Sequence, residues 1–134
     1  MTTKKIIGYC ILLMSLGMSA SYAAEDTIID TVINPLFNAL KNGDLKSIET
    51  YIDEPLYSEV KAQLQNNQEY PEYLRQYYSE SYVEVINIVD RAKEHKNVYV
   101  DLHFSSKDKQ TLELQLHKTA SGDWKVTKQS IVDE

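Results

Sequence analysis

The chain has 134 residues, a formal net charge of −6 and a single cysteine. That length suits one domain, and an acidic chain with no Lys/Arg cluster is poorly suited to the phosphate backbones of nucleic acid. One cysteine excludes an internal disulfide, so the fold must hold by packing alone.

Residues 1–23 read as a targeting segment. Lys4 and Lys5 give a positive start, Ile6 to Met18 an apolar core, and Ser21-Tyr22-Ala23 small residues at the two positions a signal peptidase reads. The expectation is export to the periplasm or beyond with cleavage after Ala23, leaving residues 24–134 as a single domain. The apolar core is broken by Gly8, Ser15 and Gly17 and falls short of the roughly 20 residues of a spanning helix, so membrane attachment is expected only through an uncleaved leader. Cys10 follows bulky Tyr9 and precedes most of the apolar run, the reverse of a lipid-attachment site. Cleavage takes Lys4 and Lys5 with it, so 14 basic residues become 12 against 20 acidic ones and the charge moves from −6 to −8. Such a surface would attract a basic protein partner.

Ile28, Ile29, Val32, Ile33, Leu36, Phe37 and Leu40 draw a wide apolar stripe on a helix of about residues 26–42. Pro35 interrupts it, so the helix either kinks or restarts with Asn34 as its cap; the unbroken phase of the stripe favours one kinked helix. Asn42-Gly43-Asp44 supplies a left-handed stop and then a capping carboxylate for a short second helix carrying Leu45, Ile48, Tyr51 and Ile52. Pro55 opens a third helix with Leu56, Val60 and Leu64 one turn apart, and Tyr70-Pro71 opens a fourth. In this fourth helix Tyr70, Tyr73, Leu74 and Tyr77 are read as one face, with Tyr78 pointing elsewhere. Five tyrosines fall between residues 70 and 82, which describes either the wall of an aromatic pocket or a sealed core.

After residue 80 the period changes from helical to alternating. Val98, Val100, Leu102 and Phe104 face inward, with Tyr99, Asp101, His103 and Ser105 outward. Leu112, Leu114 and Leu116 repeat the pattern beyond a polar turn at Ser106 to Gln110. Paired in that way, His103 falls near Glu113 and Tyr99 near His117. Ser121-Gly122-Asp123 turns into a last strand with Trp124 and Val126 inward. The strand from Tyr82 to Arg91 has apolar residues in both phases, which calls for cover on both faces, as in a homodimer, or for a bulge near Asn87.

Helices followed by an antiparallel meander of about four strands make an α+β domain with the helices packed on the sheet. The run Pro35 to Leu45, the helix start Glu54-Pro55-Leu56-Tyr57 and the closing Gly122-Asp123-Trp124-Lys125-Val126 resemble small exported bacterial members of the nuclear transport factor 2-like superfamily. The resemblance implies a curved sheet wrapped round the helices as a cone, with a pocket at its wide end. Members of that superfamily use the pocket for catalysis, for ligand binding, or for nothing but dimerisation.

Relatives resembling ketosteroid isomerases and polyketide cyclases would carry an Asp or His inside the cone as general base. Here the inward positions are aliphatic or aromatic, and Asp101, His103, Glu113 and His117 lie in the outward phase. No catalytic residue is therefore assigned. His95, His103 and His117 lack metal-ligand spacing, and neither a glycine-rich phosphate loop nor a nucleophile elbow is present, so no metal or cofactor is expected. The charge run Asp90 to Lys96 reads as a solvated strand end and turn. The reading that follows is an exported, non-catalytic domain holding a small apolar or aromatic ligand, with Tyr51, Tyr73, Tyr77 and Trp124 as walls. Two alternatives stand beside it: an immunity-like or accessory interaction protein using the acidic surface or outer sheet face, and an enzyme.

Overall fold

The computed structural model describes residues 27–132, so the leader and its cleavage site lie outside the described residues. The chain opens with a helical run, α1, over residues 29–42, in which a π-helical stretch Ile29–Ile33 passes directly into the α-helix Asn34–Asn42. Asn34 is helical (φ −63°, ψ −45°) and its N–H donates to the Ile29 carbonyl, so it continues the helix and does not cap a new one. The widened turn falls just ahead of Pro35, where the missing N–H and the bulk of the ring are hardest to fit into a regular helix. The stripe keeps its face: Ile28, Val32, Ile33, Leu36, Phe37 and Leu40 are all buried.

Gly43 (φ 63°) ends α1, with its N–H on the Leu40 carbonyl and that of Asp44 on Ala39. Only glycine fits this corner, because a Cβ there would stand 2.4 Å from the Pro71 carbonyl oxygen. The Asp44 carboxylate then accepts from the Ser47 N–H and hydroxyl, capping α2 (Leu45–Tyr51) as expected. Helix α3 (Leu56–Asn66) buries none of its residues and lies over the domain as a cover. Helix α4 (Tyr70–Tyr78) packs against α1 through buried Leu74 and Tyr78.

Four antiparallel strands follow in the order β1 (Tyr82–Ala92), β2 (His95–His103), β3 (Lys109–Lys118) and β4 (Trp124–Ile131). Val98, Val100, Leu102, Leu112, Leu114, Leu116 and Val126 line the inner face, each at most 2 % exposed, and join the helical stripe in one core. The two-phase pattern of β1 is resolved by a bulge: Val85 pairs with Val100 and Asn87 with Tyr99, leaving Ile86 as the extra residue. Val83, Val85 and Ile88 thus all face inward, while Ile86 and Val89 are exposed.

The hairpin between β2 and β3 closes earlier than the polar run from Ser106 to Gln110 implies. The Phe104 N–H donates to Asp108 and the Lys107 N–H to Phe104, with Lys107 in the left-handed region (φ 73°), so Lys109 and Gln110 already belong to β3. The register shifts accordingly. Tyr99 pairs with Glu113, His103 with Lys109 and His117 with His95, in place of the expected His103–Glu113 and Tyr99–His117 pairs.

Candidate functional site

Between the helices and β4 the fold leaves a cavity of about 210 Å³, lined by Leu36, Leu40, Ile48, Ile52, Leu56, Val60, Tyr70, Leu74, Tyr78 and Gln129. Each element contributes through the spacing that formed it. Leu36 and Leu40 are one turn apart on α1, Leu56 and Val60 one turn apart on the covering helix, and Tyr70, Leu74 and Tyr78 occupy successive turns of α4. The polar side chains in this lining are the two tyrosines and Gln129. Burial raises the Tyr70 hydroxyl above its ordinary pKa and pushes Tyr78 up to about 12, with a hydrogen bond from Gln129 pulling the other way. Both phenols are neutral at physiological pH and can orient a polar group without transferring its proton. Among the described residues, neither a carboxylate nor an imidazole lines this space.

The structure splits the four residues read as pocket walls. On α4 the buried face is Tyr70, Leu74 and Tyr78, at intervals of four, so Tyr78 turns inward against Phe37 with ring centroids 6.2 Å apart. Tyr73 and Tyr77 are 53% and 38% exposed; they stack on each other at 5.9 Å, and Tyr77 sets its edge against Phe104. Spacings of three and of four both suit a helix face, and the choice fell to α1, whose Phe37 accepts the Tyr78 ring. Tyr51 and Trp124 do meet, but in a separate surface depression of about 430 Å³ shared with Thr27, Thr31, Val32, Thr50, Gly122, Asp123 and Lys125. Sequence reasoning missed Tyr70 and Tyr78 as a pair; their interval of eight, with Leu74 between, was the available signal.

The ionisable groups gather on the outer sheet face. Asp101 is 7 % exposed and accepts from the Thr111 hydroxyl at 2.6 Å and the Lys109 ammonium at 3.4 Å. The Thr111 bond foremost, with Lys109 and nearby His103 adding to it, holds its carboxyl below the usual range. Glu113 accepts from Asn97 at 2.5 Å and from the Tyr99 hydroxyl at 2.9 Å. His103 lies against Glu84 at 3.0 Å and is stacked on Tyr82. Glu84, Asp101 and His103 place donor atoms within 4.8 Å of one another. Thr111 occupies one Asp101 oxygen and the Lys109 ammonium offsets its charge from the other, so Asp101 is already engaged within the protein. Across the sheet end, His117 meets Asp53 at 3.0 Å and ties β3 to the loop before α3.

A serine nucleophile would need an activating base, and among the described residues Ser81 stands beside Lys41. The Ser81 hydroxyl donates to the Tyr78 carbonyl at 2.7 Å and the Lys41 ammonium to the Ser81 carbonyl at 3.1 Å. Both groups are spent on closing α4, and neither is aimed at the other.

Helices on the inner face of a curved four-stranded antiparallel meander, with an apolar cavity between them, define a nuclear transport factor 2-like α+β fold. A crystal structure of a protein named as an NTF2-like transpeptidase from Campylobacter jejuni has the same architecture. The two share 17% sequence identity and superpose with a TM-score of 0.56 over 78% of this chain and 97% of that one. At that identity the likeness is one of fold. No protein-family description and no curated protein matches the chain.

Proposed function

We propose that this protein is an exported, non-catalytic domain that holds a small apolar or aromatic ligand in the cavity beneath α3. The observation carrying this reading is the lining: aliphatic side chains on three helices, with two neutral phenols and one amide at one end and no group able to act as a general base near neutral pH. At about 210 Å³ the space is below the roughly 300–1,000 Å³ of drug-sized pockets. The ligand is then a single ring or a short branched chain, its one polar group turned toward Tyr70, Tyr78 and Gln129. Helix α3, none of whose residues is fully buried, is the element that can yield to admit it. The transpeptidase activity named for the Campylobacter protein draws no support from Ser81 and Lys41.

Uptake of a small aromatic fluorophore, and displacement of it by candidate ligands, tests the proposal. Val60→Trp should fill the cavity and weaken uptake at least tenfold, whereas Tyr73→Ala, on the exposed side of α4, should leave it unchanged. Equal uptake by the Val60→Trp protein, or loss of uptake in Tyr73→Ala, would sink the assignment.

A further inference from the structure

The outer sheet face carries a second depression, of about 350 Å³, where the β1–β2 and β3–β4 ladders are both irregular. On β1, Asp90 pairs with Lys96 and Ala92 with His95, so Arg91 is the extra residue. On β4, Lys128 pairs with Gln115 and Val126 with Leu116, so Thr127 is the extra residue. Both extra residues line this depression, together with Ala92, His95, Lys96, Asn97, Gln115 and Leu116, and Lys96 is paired with Asp90. Bulges re-aim side chains, and two of them converging on one spot build a recess that a regular ladder would lack.

The chemistry of the recess runs against that of the chain. Although acidic residues outnumber basic ones 20 to 14, none of those among the described residues lines it. Three nearby carboxylates are already engaged, Asp90 with Lys96, Glu113 with Asn97 and Tyr99, and Asp53 with His117, while the carboxylate of exposed Glu94 next to His95 has no partner among the described residues but lies outside the lining. Arg91 makes no hydrogen bond or ion pair among the described residues, and the Gln115 amide and the ring nitrogens of His95 are equally free of hydrogen bonds there. A guanidinium without a partner, beside an amide and an imidazole, presents a fork of donors that matches a planar oxyanion. The overall negative charge disfavours a dianion, which leaves a single carboxylate as the best match.

We infer that this recess binds the carboxylate of a small organic acid or peptide, with Arg91 as the bidentate anchor and Gln115 and His95 as flanking donors. The site is independent of the cavity beneath α3.

Backbone amide shifts of the purified protein, titrated in parallel with acetate, inorganic phosphate and chloride, test this. Acetate should move the amides of Arg91, His95, Asn97 and Gln115 in a saturable way, with a dissociation constant of about 1 mM or tighter. Arg91→Gln should weaken that binding by about tenfold or more, and Arg91→Lys, which keeps the charge but loses the fork, should weaken it nearly as much. The Trp124 emission and unfolding midpoint of both variants should match the parent, since Arg91 is exposed and unpaired. Shifts that chloride reproduces, or that Arg91→Gln leaves unchanged, would overturn the inference, and tighter binding of phosphate would overturn the assignment to a carboxylate.

Discussion

Both faces of β2 and β3 hold residues hidden from water, and they are hidden by different means. On the inner side Val98, Val100, Leu112 and Leu114 are at most 1 % exposed because four helices cover them. On the outer side Asn97 is 3 % and Asp101 7 % exposed although no helix packs there among the described residues. Those two are shielded by side chains bonded to them: Glu113 holds Asn97, and Thr111 with Lys109 holds Asp101. Alternating hydropathy thus tells which face meets the helices, but not which polar positions on the other face are buried. A polar face shields itself when each of its buried groups has a partner, since an unpartnered one costs about 1–3 kcal/mol.

Truncations on the two faces should separate these means. Leu114→Ala, on the inner face, is expected to cost about 2–5 kcal/mol, seen as a lower urea midpoint at unchanged slope, because a helix-covered site cannot collapse. A loss under about 1 kcal/mol would mean that the inner face is loosely packed and that the contrast fails.

Asp101→Ala, on the outer face, should cost about 2 kcal/mol at pH 7, by removing an ionised acceptor and orphaning the Thr111 hydroxyl. The pH dependence carries a definite sign. Asp101 is held below its unfolded value, first by the Thr111 hydrogen bond and then by Lys109, so its contribution is complete above about pH 4 and fades as pH falls through the folded value. The gap between parent and variant should therefore close in acid, in urea titrations at pH 7 and pH 2.5. A gap that stays constant would assign the loss to packing.

Glu84→Ala should do least. Its carboxylate is 59% exposed where it meets His103, and such a pair is worth about 0–1 kcal/mol. A larger loss would show that the edge of the outer face depends on its ion pairs as the centre does.

Much of this was legible along the chain. The stripe of α1, the Gly43–Asp44 corner and the alternation of β2 and β3 all rest on local periodicity or on one backbone conformation, and each appears where the residues call for it. The cavity was legible only in part. Tyr51 and Trp124 are half-buried at a different depression, and Tyr73 and Tyr77 stand outside, because a helix offers two apolar faces offset by one residue and only its neighbour selects between them. The hairpin register escaped for a similar reason: Lys109 and Gln110 are as polar as a turn, yet backbone pairing to β2 makes them strand.

By itself the sequence determined the order of helices before strands and the apolar face of each element. Those follow from side-chain period and from which residues resist water, and both are local properties. Tertiary structure decided which tyrosines turn inward, how the phase conflict in β1 is discharged at Ile86, and where the two bulged residues Arg91 and Thr127 meet. Each of these depends on contacts between residues far apart in the chain, where packing selects among conformations that the local sequence leaves nearly equal in energy.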